Sequence, residues 1–211
     1  MSPEEIYNKI VKLYPDGETE LANWKTDWQF LFSVVLSAQT TDKQVNKVTA
    51  KLFQKYGSLE ELSSAKEEDV QKIISSVNYN RSKSQYIVCA SKLLIQNHGG
   101  KVPLNVDELI KLPGVGLKSA NVFLSVFGDE GVGGIAVDTH VMRISHRLSL
   151  SDKAEPKKIA EDLEKIYDKK LWRSINGHFV LFGRYFCKAR NPRCSECPFF
   201  DICQYEEKSS H

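Results

Sequence analysis

The 211-residue sequence lacks a long apolar run. Its greasiest stretch, Phe30–Ala38, falls far short of the ~20 residues a membrane helix needs, so no membrane partner is expected. The start, Met1-Ser2-Pro3-Glu4-Glu5, is acidic and has no basic segment leading into an apolar one. It therefore does not read as a secretory signal, and a cytoplasmic protein is expected. An excess of one charge sign is also missing. With 29 Lys+Arg against 27 Asp+Glu the net charge is +2, which argues against a protein that grips polyanions through bulk charge. Period-2 alternation is absent beyond a few residues, as are internal repeats and low-complexity tracts. What remains is 41% hydrophobic and 27% charged, the composition of a soluble globular chain with enough length for one or two domains.

Helical signals run through the whole chain. Ser2-Pro3-x-Glu5 reads as a capping box with proline at the first helical position, followed by Ile6, Ile10, Val11 and Leu13. Trp28–Leu36 reads as a short buried helix. Thr41-Asp42 opens another, and Ser64-x-x-Glu67 reads as a second capping box. Ser82 to Gln96 stops at Gly99-Gly100. Val106–Leu112, Leu117–Phe127, a helix capped by Asp138-Thr139, one begun by Glu155-Pro156, and Trp172–Phe186 complete the set. Gly131–Gly134 reads as a loop and hinge. The fold class expected is all-α.

Charge is uneven along the chain. Residues Arg143 to Arg193 hold 13 Lys+Arg against 6 Asp+Glu, a net of +7, leaving −5 elsewhere. Lys157, Lys158, Lys165, Lys169 and Lys170 read as a solvated helix face. Arg184, Lys188, Arg190 and Arg193, crowded among cysteines, read as phosphate-facing cations.

Cys187, Cys194, Cys197 and Cys203 form C-x6-C-x2-C-x5-C. Four thiols this close, in a chain with no export signal, point to a metal rather than to disulfides. Only Cys194 and Cys197 have the knuckle spacing of zinc sites, and Pro198 follows Cys197 as in ferredoxin runs. The spacing favours an iron–sulfur cluster, with zinc as the alternative. Cys89, amid apolar neighbours, reads as a small core residue.

Leu112-Pro113-Gly114-Val115-Gly116-Leu117-Lys118-Ser119-Ala120 joins two helices. Gly114 and Gly116 permit positive φ, and the amides of Val115, Gly116 and their neighbours then face outward as an anion site at a helix start. The turn is neither a Walker A nor a dinucleotide fingerprint. Between two amphipathic helices, L-P-G-V-G resembles the hairpin of helix-hairpin-helix DNA-binding modules. Lys118, in the first turn, faces the positive end of the helix dipole, which favours a neutral, nucleophilic amine. It also reads as a simple phosphate contact. Asp138 reads as an N-cap that stays ionised and suits a nearby cation.

Taken together, L-P-G-V-G-L-K-S-A, V-D-T-H-V (Val137–Val141), the four-cysteine pattern and Leu36-Ser37-Ala38-Gln39-Thr40-Thr41-Asp42 closely resemble the endonuclease III family. These are helix-hairpin-helix DNA glycosylases with a 4Fe-4S cluster. The resemblance covers essentially the whole chain. It implies two helical domains, 20–132 and 1–19 with 133–211, with a DNA-binding cleft between them. It implies that Lys118 and Asp138 are catalytic and that the four cysteines ligate the cluster. DNA contacts are implied for Gln39, Asp42, Tyr79, Leu112, Gly114, Val115, Gly116, His140, Lys188, Arg190 and Arg193. The implied partner is double-stranded DNA carrying a damaged base or an abasic site, bound by a monomer, on the nucleoid if the source is prokaryotic.

The implied reaction is excision of oxidised pyrimidines such as thymine glycol, followed by β-elimination through a Schiff base on Lys118. Two departures stand out. Val77-Asn78-Tyr79-Asn80-Arg81-Ser82-Lys83 lies where the family commonly has glycine and then an aliphatic or aromatic residue, and Asp129–Gly134 is longer than usual. Two alternatives stay open: a non-catalytic iron–sulfur DNA-binding or redox-sensing protein, and a monofunctional glycosylase.

Overall fold

The computed structural model describes residues 1–17, 19–129 and 132–208. Of the expected Gly131–Gly134 loop and the long Asp129–Gly134 stretch, Glu130 and Gly131 lie outside the described residues. Among the described residues there is no strand, and no helix is long and apolar enough to cross a membrane. The chain divides into two compact units, Glu20–Gly128 and Met1–Thr19 with Asp129–His211.

The helix α1 (Pro3–Leu13) starts with the reciprocal box read from the sequence. Glu5 N–H donates to Ser2 Oγ at 3.2 Å, and Ser2 N–H donates to Glu5 Oε2 at 2.7 Å.

In the unit Glu20–Gly128, α2 (Asp27–Ser37) is buried on nearly every face, from Trp28 to Leu36. A helix apolar all round must be enclosed by others. α2 packs on α3 (Asp42–Lys55), α6 (Asn80–His98) and α8 (Leu117–Phe127). Phe30, Phe123 and Phe127 meet there, with the last two rings stacked at 5.1 Å. The short helices α4 (Leu59–Ser63) and α5 (Glu67–Ile73) lie against α6, and α7 (Val106–Leu109) precedes the hairpin.

Three local readings change. The first is the second capping box: Ser64 ends α4, and α5 starts from Lys66 with no side-chain cap. The capping serine in this region is Ser58, which accepts from Glu61 N–H at 3.2 Å, because the Leu59 and Leu62 pair needs its own helix to reach the core. The second is Cys89, which is exposed rather than in the core. It follows Val88 on α6, one position off the buried stripe of Ile87, Val88 and Leu94, and a single step turns a helical residue by about 100°. The third is Gly116, whose φ is −93, so only Gly114 of the hairpin pair uses positive φ.

In the other unit, α9 (Thr139–Arg147), α10 (Pro156–Ile166) and α11 (Trp172–Leu181) join α1 around Ile6, Ile10, Val141, Ile144, Ile159, Leu163, Ile175 and Phe179. α11 passes into one π-helical turn, Phe182–Phe186, ending at Cys187. A π turn widens the helix and often marks a functional site. Here it brings the Gly183 backbone against α9, where a Cβ on Gly183 would sit 2.9 Å from His140 Cβ.

Candidate functional site

The hairpin is a tight turn. Val115 N–H donates to Leu112 O at 3.1 Å, and Gly114 has φ +80, the geometry of a turn with proline second and glycine third. Leu112 and Val115 are buried and anchor it. The Val115 amide therefore closes the turn instead of facing outward as expected. At the start of α8, Gly116 is the N-cap and supplies no side-chain cap. Lys118, the second residue of α8, is exposed.

A second cluster of predicted residues lies in the same unit. Gln39 and Tyr79 both have left-handed backbones, φ 55 and 57, which non-glycine residues rarely adopt. Gln39 is exposed and Tyr79 is 64% exposed. Asn78 Nδ2 donates to Gln39 O, and Asn78 N–H donates to Thr40 Oγ1 at 3.3 Å. Asp42 is half-buried at the start of α3.

In the other unit, Asp138 Oδ1 accepts from His140 N–H at 2.8 Å and Val141 N–H at 2.9 Å. The expected N-cap forms, and it leaves Asp138 half-buried. Two arginines one turn apart on α9 then tie this helix to the cysteine loop. Arg143 donates to Gly183 O (2.7 Å) and Cys187 O (3.0 Å) and lies 3.1 Å from His140 Nδ1. Burial holds its guanidinium below the ordinary value, while Cys187 and Asp138 pull it back up. Arg147 Nη1 donates to Cys187 Sγ at 3.2 Å and Lys188 O at 2.9 Å, and its guanidinium stacks 3.8 Å from the Tyr205 ring. The sequence reading missed this pair. The i, i+4 spacing of two arginines on an amphipathic helix was the available signal.

Cys187, Cys194, Cys197 and Cys203 line one cavity together with Arg147, Phe186 and Tyr205. Among the described residues no three His, Cys, Asp or Glu side chains converge on a single metal ion. A tetrahedral zinc site needs four sulfurs about 2.3 Å from one centre. Four cysteine thiols around one cavity are also the donor set that holds a 4Fe-4S cluster. Burial pushes the Cys197 thiol up to about 11, and the other three cysteines add to the rise. Burial raises Cys187 as well, opposed by Arg147 and Arg143. Such thiols become ligands only when a cationic centre offsets their charge. The donor set therefore fits a cluster.

Of the loop cations, Lys188 and Arg190 are exposed. Arg193 is committed locally: Nη2 lies 2.5 Å from Glu196 Oε2 and the guanidinium 5.0 Å from the Phe186 ring. Lys158 and Lys165 pair with Glu155 and Asp162, in keeping with a solvated face.

Residues 32–169 match the model of the HhH-GPD superfamily base excision DNA repair protein, and residues 187–203 match the iron–sulfur binding domain of endonuclease III. Endonuclease III of Bacillus subtilis (strain 168) is 42% identical over 206 residues, covering 97% of this chain and 93% of that protein. Endonuclease III of Thermotoga maritima is 41% identical over 203 residues, covering 96% and 92%. A solved structure of a trapped endonuclease III–DNA covalent intermediate superimposes with a TM-score of 0.89 at 38% identity, covering 97% of this chain and 96% of that one. The cofactor of this domain is a 4Fe-4S cluster. The chain belongs to the endonuclease III family of helix-hairpin-helix base excision repair proteins.

Proposed function

We propose that this chain is a bifunctional DNA glycosylase and AP lyase that excises oxidised pyrimidines, such as thymine glycol, and then cuts the strand by β-elimination. The observation that carries it is Lys118, an exposed amine in the first turn of α8, directly after the DNA-binding hairpin. The trapped covalent intermediate of the 38%-identical endonuclease III supports it.

The partner is double-stranded DNA holding a damaged base or an abasic site, met by a monomer in the cytoplasm, on the nucleoid if the source is prokaryotic. The two compact units support a two-domain chain, 20–132 and 1–19 with 133–211. A base inside a duplex is out of reach, so the nucleotide leaves the stack. Gln39 and Tyr79 fill the gap. Leu112, Gly114, Val115 and Gly116 present the hairpin to a phosphate, and Asp42, His140, Lys188, Arg190 and Arg193 add contacts.

Lys118 Nζ, as a neutral amine, attacks the sugar C1′, and the C1′–base bond breaks with its electron pair leaving on the base. The nitrogen gives up one proton, and its lone pair then expels O4′, which keeps the C1′–O4′ electron pair and takes up a proton, leaving the ring open and C1′ as an iminium. The iminium acidifies the C2′ proton; its removal expels the 3′ phosphate with the C3′–O electron pair. Only an amine nucleophile leaves an iminium for this second step. Asp138, oriented by two amide bonds, stabilises the positive charge that develops on the sugar. Cys187, Cys194, Cys197 and Cys203 hold the cluster, which fixes the loop that carries the cations.

Borohydride capture on an abasic-site duplex tests this reading. Wild-type protein is expected to yield a covalent adduct and Lys118→Ala none. Equal capture by both would refute the role of Lys118. A product cut only after heating with base would mark a monofunctional enzyme.

A further inference from the structure

Among the described residues, Lys83 is a buried charged side chain that the reaction does not use. It is 4% exposed. Its ammonium donates to Leu36 O at 2.8 Å and Ala38 O at 2.6 Å, with Thr40 Oγ1 at 3.5 Å. These acceptors flank Gln39 on both sides in sequence. Its backbone N–H donates to Tyr79 O at 3.0 Å. That bond is the first turn of α6, which begins at the N-cap Tyr79, so the Lys83 side chain ties the Gln39 segment to the helix that Tyr79 caps. Asn78 adds a direct link, since its amide donates to Gln39 O and its N–H to Thr40 Oγ1.

Neither left-handed conformation stabilises itself. A lone Gln or Tyr at φ near +55 relaxes to another basin unless its surroundings over-determine it. Burying an ammonium is also unfavourable unless its protons find acceptors. The two costs are met by one set of bonds: α2 ends with carbonyls that need donors, and Lys83 supplies them. The arrangement makes the Gln39 and Tyr79 tips a pair with fixed spacing rather than two independent loops.

We propose that Lys83 and Asn78 are positioning residues that join Gln39 and Tyr79 into one two-pronged wedge, so that both tips enter the base stack together. This rests on the reading of the chain as a base-flipping glycosylase. Lys83 supports the wedge from the core side. Asn78 adds a second cross-link from the exposed side.

The test uses duplex DNA with a tetrahydrofuran abasic analogue and 2-aminopurine opposite it. The analogue cannot react, so the signal reads wedge entry alone. Wild-type protein at saturation unstacks the 2-aminopurine and raises its fluorescence. Asn78→Ala is expected to lower the seated fraction about fivefold, the effect of one lost hydrogen bond, and Lys83→Met to lower it more. Both variants should still bind the duplex. Borohydride capture on the single-stranded abasic oligonucleotide, where no stack must open, is expected to persist in Asn78→Ala. A fluorescence rise equal to wild type in Asn78→Ala overturns the proposal. Should Lys83→Met fail to fold, Asn78→Ala carries the test, because its side chain is exposed. Failure of wild type to capture the single strand would instead refute the lyase reading and leave the fluorescence result standing.

Discussion

Gly114 lies against Tyr86: a Cβ added to it would sit 2.8 Å from Tyr86 Cδ2 and 3.0 Å from Tyr86 Cβ. The second atom is close to the α6 backbone, so the ring cannot simply swing aside. Gly114 also has φ +80, which side-chain-bearing residues rarely adopt. Gly114→Ala is therefore expected to cost about 1–3 kcal/mol from strain and crowding together. Gly116→Ala meets open space at φ −93 and should cost far less. Thermal unfolding of the two variants checks the contrast. Equal losses would show that the hairpin does not depend on the Gly114–Tyr86 contact.

Asp138 has two separable duties. As N-cap it accepts two amide bonds, and removing a cap costs about 1 kcal/mol. In the proposed mechanism its charge is the part that acts on the sugar. Asn caps about as well as Asp, so Asp138→Asn should keep the melting temperature near wild type while lowering base excision. Asp138→Ala should lower both. If Asp138→Asn excises thymine glycol at the wild-type rate, the carboxylate serves the fold alone.

Much of this was legible in the sequence because it is local. The Ser2-x-x-Glu5 box, the Asp138 cap and the Gly99 stop are each decided within one turn of helix, and each is found where its residues predict. Ser64 misled because a matching spacing is not enough: the burial of Leu59 and Leu62 pulls the helix start back to Ser58. The hairpin motif located the turn, but which of its amides is used internally depends on turn closure, and Val115 proved to be spent on Leu112 O. Lys83 and the Arg143–Arg147 pair were illegible for another reason. Their partners are backbone carbonyls about 40 residues away, and carbonyls leave no mark in a sequence.

Burial pushes the Lys83 ammonium down from 10.5 to about 8. Above about pH 8 the folded protein has lost this proton, while the unfolded chain keeps it until about 10.5. The unfolded state then binds more protons, and the contribution of Lys83 to stability rises with pH. Below pH 8 the fold carries the full cost of the buried charge. Lys83→Met has no such dependence. Comparing melting temperatures at about pH 7 and about pH 10 should move the difference in the wild type's favour at the higher pH. A difference that stays constant would show that Lys83 does not titrate in this window.

Lys188 and Arg190 are exposed on the Cys187–Cys194 loop, whereas Lys165, also exposed, pairs with Asp162 at 3.3 Å. The loop is anchored at both ends by cysteines of the cluster cavity, and Arg147 holds its first carbonyl, that of Lys188. Cations presented on a fixed loop lose little further freedom on meeting a phosphate, and each contact releases condensed counterions. Lys188→Gln or Arg190→Gln should thus weaken duplex binding without regard to sequence and reduce the slope of log K against log salt by about 0.9. Lys165→Gln should leave the slope unchanged. Arg193 provides the internal comparison: its guanidinium is shared with Glu196 and Phe186, so Arg193→Gln should alter the slope less than Arg190→Gln. A salt titration that gives all four variants one slope would refute phosphate binding by this loop and return its cations to the simpler task of balancing thiolate charge.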